Sequence, residues 1–105
     1  MSKRNGVWKV PASVRVGAVR YKILASKEPD GNARFAETNH VECEIRIAPT
    51  ATRGHLPSTL LHEIIHAVSD QYGVGLKESQ VKQVANGLAQ ALIDLGLLPE
   101  GMSIQ

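Results

Sequence analysis

Leu60-Leu61-His62-Glu63-Ile64-Ile65-His66-Ala67-Val68-Ser69-Asp70 decides how this chain is read. Apolar residues recur at helical spacing, and Leu61, Ile64, Ile65, Val68 and Tyr72 fall on one stripe expected to face a core. Pro57 and Ser58 suit a helix start and Gly73 a stop. His62 and His66 then lie one above the other, about 40° apart on a wheel of 3.6 residues per turn. That spacing lets two imidazoles close on one Zn²⁺ at about 2.0–2.1 Å. Glu63, turned about 100° from His62, stands beside such an ion, where a carboxylate can take a proton from an activated water. The sequence HExxH therefore points to zinc-dependent hydrolysis, most often of peptides. A surface helix carrying two idle histidines is the competing reading.

Outward from this helix, the first half reads as strands and the second as helices. Val14-Arg15-Val16 and Val19-Arg20-Tyr21-Lys22-Ile23 alternate apolar with basic residues, and Gly17 between them marks a tight turn or a bulge. Glu28-Pro29-Asp30-Gly31-Asn32 is turn chemistry, Ala33 to Glu37 a short strand, and Thr38-Asn39-His40 a second turn. Val41 to Ile47 alternates without a break, with Val41, Cys43, Ile45 and Ile47 on its apolar face. Ala48 to Leu56 is a loop. After Gly73-Val74-Gly75, a second helix is expected from about Lys77 to Leu95, its apolar face made of Val81, Val84, Ala85, Leu88, Leu92 and Leu95. Gly96, Pro99 and Gly101 end it, and a loose tail is expected to follow. The expected fold is α+β: a small antiparallel sheet of about three strands, then two helices packed on one of its faces. One domain over residues 1–105 is expected, with a core from about 14 to 95 and loose termini.

Composition narrows the partners. A net charge of +2 is too small to argue for nucleic acid. The basic run of Lys3, Arg4, Lys9, Arg15, Arg20 and Lys22 is more cheaply a solvated strand face than a phosphate site. Cys43 is the only cysteine, which excludes an intrachain disulfide and suggests a small buried hydrophobe. No apolar run approaches the roughly 20 residues that span a membrane. Met1 to Gly6 is polar with no apolar segment after it, so no leader is expected and the default location is cytoplasmic.

A catalytic zinc takes three protein ligands and keeps a fourth place for water. Histidines three and six residues beyond His66 would make the metzincin pattern, but Ser69 and Tyr72 stand there. Glu78, Asp70, His55, His40 and Cys43 remain as third ligands. Glu78 is favoured because it lies at the edge of the second helix's apolar face, one turn before Val81; the competing reading is a glutamate that merely complements the helix dipole. With straight antiparallel helices Glu78 would lie roughly 9 Å along the axis from His66, so the helices must cross or the first must end by about Ser69. Asp70, His55 or Cys43 as a fourth ligand would instead close the site and make a structural zinc module. Tyr72 and His55 are the candidate donors to an oxyanion. The Val41–Ile47 strand, if it is the sheet edge, could receive an extended peptide.

His62-Glu63-x-x-His66-Ala67 followed by Glu78-x-x-Val81-x-x-Val84-Ala85 resembles the minimal gluzincin plan of ImmA/IrrE-like metallopeptidases and minigluzincins, including short phage-encoded proteins of about this length. The likeness extends to Leu60-Leu61 before the motif, the Gly73-Val74-Gly75-Leu76 turn and Glu78-Ser79-Gln80-Val81. It is specific over 60–89 and weak before that. The resemblance implies Zn²⁺ held by His62, His66 and Glu78, Glu63 as general base, a peptide or protein substrate, and the cytoplasm of a bacterial or phage-infected cell. Lys77 departs from the pattern, because Ser or Asp caps a helix better. The alternative to an enzyme is a non-catalytic zinc-binding or protein-interaction module with a vestigial HExxH.

Overall fold

Alternation along Val19–Ala25 sends Tyr21 and Ile23 to the interior and Arg20, Lys22 and Leu24 outward, and the rest of the sheet is built around this strand. A computed structural model describes residues 8–25, 36–48 and 55–104. The expected turn at Glu28–Asn32, the start of the strand at Ala33 and most of the loop before the motif helix lie outside the described residues. The elements in chain order are β1 (Trp8–Lys9), β2 (Ser13–Val16), β3 (Val19–Ala25), β4 (Ala36–Asn39), β5 (Glu44–Ile47), α1 (Leu56–Gln71), α2 (Glu78–Asp94) and β6 (Met102–Ser103).

The fold is α+β, a mixed sheet followed by two helices, and the sheet differs from the expected antiparallel three-stranded one. Four strands stand in the order β2-β3-β5-β4. β2 and β3 form a hairpin closed at Gly17, whose φ of 61° suits a two-residue turn rather than a bulge. After β3 the chain reaches β4 at the edge and turns back, so that β5 fills the gap between them. β5 therefore runs antiparallel to β4 and parallel to β3. Ile45 and Ile47, both fully buried, are the residues that a central strand needs.

Val41 to Ile47 does not form one strand, and β5 is not an edge. Only Glu44–Ile47 pairs, while residues 40–43 turn. The Asn39 side chain accepts the Glu42 N–H at 2.9 Å, an Asx-type closure that competes with extended pairing. Cys43 takes φ 56° and is half-buried, and Val41 is 93% exposed. Local turn chemistry outweighs the alternation there.

The helices do not lie side by side on the sheet. α1 packs on the sheet and α2 packs on α1, giving three layers. The surface α1 gives to the sheet comprises Leu56, Leu60, Glu63 and Ala67, about 125° round from the expected stripe. Leu61, Ile64 and Ile65 are half-buried, whereas Val68 and Tyr72 are exposed. As the middle layer, α1 needs apolar residues on more than one face, which blurs the single stripe a sequence pattern would show. α2 buries Val81, Ala85 and Ala89 and leaves Val84, Leu88 and Leu95 exposed.

The C-terminal segment is not a loose tail. β6 pairs in parallel with β1, Val10 N–H donates to Ser103 O at 2.9 Å, and Met102 is fully buried. Among the described residues no helix is long and apolar enough to cross a membrane.

Candidate metal centre

His62 and His66 stand on the flank of α1 with side chains 21% and 27% exposed. Their Nε2 atoms are 3.2 Å apart. Two nitrogens bound at about 2.0–2.1 Å to one tetrahedral ion lie about 3.3 Å apart, so the pair already has the spacing of a shared cation. Glu78, the first residue of α2, completes the group: Oε1 is 2.8 Å from His66 Nε2 and Oε2 is 2.8 Å from His62 Nε2. The ligand atoms of these three residues lie within 4.8 Å of one another. Two imidazoles and one carboxylate make a donor set suited to a divalent first-row metal, and the cluster can coordinate one. Among the described residues no fourth His, Cys, Asp or Glu joins it.

The distance concern between the helices is resolved without shortening α1, which continues to Gln71. The Tyr72–Lys77 link returns α2 so that its first side chain reaches back over both histidines. Two local devices set that start. Ser69 Oγ, buried beneath the link, accepts the Leu76 N–H at 2.9 Å. Gln80 Oε1 accepts the Lys77 N–H at 2.8 Å, so the third helical residue satisfies the amide of the N-cap residue.

Glu63 faces the sheet and is only 7% exposed. Thr38 on β4 donates its hydroxyl to Glu63 Oε1 at 2.6 Å and approaches Glu63 O at 3.1 Å. Burial pushes the Glu63 carboxyl above its ordinary 4.5, opposed by the Thr38 hydrogen bond and by His62 and His66, while Glu78 adds to the rise. A buried carboxylate beside two imidazoles is thus held in one orientation by the sheet's edge strand. Thr38 carried no sequence signal for this role, since it read as a turn residue; its partner is 25 positions away.

The other candidates fall elsewhere. Asp70 Oδ2 lies 3.6 Å from His40 Nδ1, which also contacts the Tyr21 hydroxyl at 3.4 Å. His55 is the N-cap residue of α1 and is not in the cluster. Cys43 Sγ donates to His40 O at 3.6 Å. The Tyr72 ring covers Gly17, where a β-carbon would come within 3.4 Å of the hydroxyl, so this tyrosine seats the β2–β3 turn. An open cavity of about 390 Å³ adjoins the cluster, with His66, His40 and Asp70 in its wall. No known protein family, curated protein or solved structure matches this chain.

Proposed function

We propose that the protein is a zinc-dependent metallopeptidase of minimal gluzincin type, in which His62, His66 and Glu78 hold the metal and Glu63 is the general base. The observation that carries this reading is the convergence of three donors on one point, with a second, buried carboxylate beside them held by Thr38. A purely structural zinc needs no such carboxylate and prefers four protein ligands, so the three-donor group favours the enzyme over the non-catalytic module.

Bound zinc would supply Lewis-acid polarisation of a peptide carbonyl and would lower the pKa of a water towards about 7. Glu63 takes the proton of the attacking water and returns it to the departing amine. Burial raises its affinity for protons, which suits a group that must keep the water's proton until the amine departs. Thr38 keeps one carboxylate oxygen occupied and the other available. The substrate is a peptide or protein segment, and β4, an edge of the four-stranded sheet, runs beside α1 where an extended chain can pair. That role passes to β4 from the Val41–Ile47 segment.

Elemental analysis of the protein purified without chelator tests the site, alongside His66→Ala. About one zinc per chain, lost in the variant, and cleavage of an unfolded protein abolished by Glu63→Gln would support the reading. Absence of metal even after zinc is supplied would overturn it. Zinc retained with no Glu63-dependent cleavage would instead favour the binding module.

A further inference from the structure

The cavity beside His66 has a composition that a scissile bond alone does not require. Its volume of about 390 Å³ falls in the range that takes a side chain or small ligand. Asp70 contributes a carboxylate, its side chain 47% exposed. Oδ2 faces His40 at 3.6 Å, beyond hydrogen-bond range, and Oδ1 has no partner among the described residues. Neither lysine nor arginine lines the cavity. Gly73 and Gly75, which carry no side chains, also line it, and a β-carbon at either would meet nothing within 4 Å. Both glycines have positive φ, 64° and 71°, so a bulkier residue there would be strained. The wall is therefore kept low by backbone conformation.

The backbone of α1 places Asp70. It sits one helical turn beyond His66, and His40 beside it is tied to the fully buried Tyr21, whose hydroxyl accepts a hydrogen bond from Gln71 Nε2 at 3.4 Å. A single acid at the side of an uncrowded cavity that also touches a metal-site histidine is the chemistry of a cation receptor.

We propose that this cavity is a substrate side-chain subsite for lysine or arginine, with Asp70 as the residue that recognises the cationic head. The assignment rests on the peptidase reading and deepens it: the enzyme prefers peptides with a basic residue at one fixed position near the bond it cuts. His40 lies beside Asp70, its Nδ1 3.6 Å from Oδ2.

The test uses the native protein and the pair N-acetyl-arginine amide and N-acetyl-citrulline amide, which differ by the charge and one terminal group. Titration followed by amide chemical shifts should show the arginine compound binding roughly tenfold more tightly, with shifts at Asp70 and Gly75. Asp70→Asn should remove the difference. Zinc content and cleavage of a mixed peptide library are measured on the same samples. Cleavage enriched at lysine and arginine, lost in Asp70→Asn, supports the subsite. Equal binding of the two compounds, or zinc-dependent cleavage with no basic preference, overturns the subsite and leaves the peptidase reading intact. Arginine selectivity without any cleavage keeps the cation site and overturns the peptidase reading. The arginine–citrulline contrast in native protein decides the matter even if Asp70→Asn does not fold.

Discussion

The two glutamates of the site are held in opposite ways. Glu63 lies between α1 and the sheet, 7% exposed, with Thr38 donating to it at 2.6 Å. Glu78 stands at the open rim, its side chain 68% exposed, and its described partners are the two histidines. The fold fixes the first before any ligand arrives. The second owes its position to the start of α2 and to its contacts with His62 and His66. On the proposed function, the carboxylate that moves a proton is set by the core, while the one that grips an ion stays at the surface where it can adjust.

Substitution at these two positions separates the roles. Glu63→Gln, which keeps the shape and the acceptor for Thr38, should lower cleavage by about 10²–10⁴-fold while leaving zinc content near that of the native protein, as metal analysis beside a peptidase assay would show. Equal loss of zinc would mean that the two glutamates are not distinct. Glu78→Gln should do the reverse, weakening zinc affinity by at least about tenfold in a chelator competition, with thermal stability of the metal-free protein little changed because the residue is exposed. A large fall in metal-free stability would show that the rim is as preorganised as the interior.

Thr38→Val tests the buried side directly. Loss of a hydroxyl donor to a carboxylate should cost about 1–2 kcal/mol in denaturant unfolding. The Glu63 carboxyl should rise further, so the acid limb of the pH–rate profile should move to higher pH. The smallest effect expected is in the metal-free native protein. The folded state binds the Glu63 proton more tightly than the unfolded chain does, so its contribution to stability is complete below about pH 4.5 and is lost as pH rises through the raised folded value. Metal-free Glu63→Gln should therefore unfold at higher temperature than native at pH 8, with the gap closing towards pH 4. A gap that is independent of pH would argue that Glu63 is uncharged, or already compensated, throughout.

Much of the site was legible because it is local. His62 and His66 are one helical turn apart, and no fold that keeps α1 helical can separate them. Glu78 required a judgement about the connection between the helices, and the short Tyr72–Lys77 link makes that nearly local too. Thr38, His40 and Tyr21 are another matter: each meets α1 only because the sheet lies beneath it, across 25 or more positions of chain. The strand reading failed at Val41 for a related reason. Alternation describes which residues suit a pleated surface, but the Asn39 side chain closes a turn there and leaves Val41 in solvent.

By itself, the sequence determined the helical elements, the α+β order and the pair of imidazoles, since these follow from spacing along one element and from turn residues next to it. Only the tertiary structure decided that β5 runs parallel to β3 inside a mixed sheet, that α2 rests on α1 and that the C-terminal segment pairs with β1. It also decided that Glu63 is buried against Thr38 and that Asp70 opens into a cavity. Those are contacts between distant parts of the chain. Their partners are selected by the burial of apolar area summed over the whole molecule, and no window of sequence contains that sum.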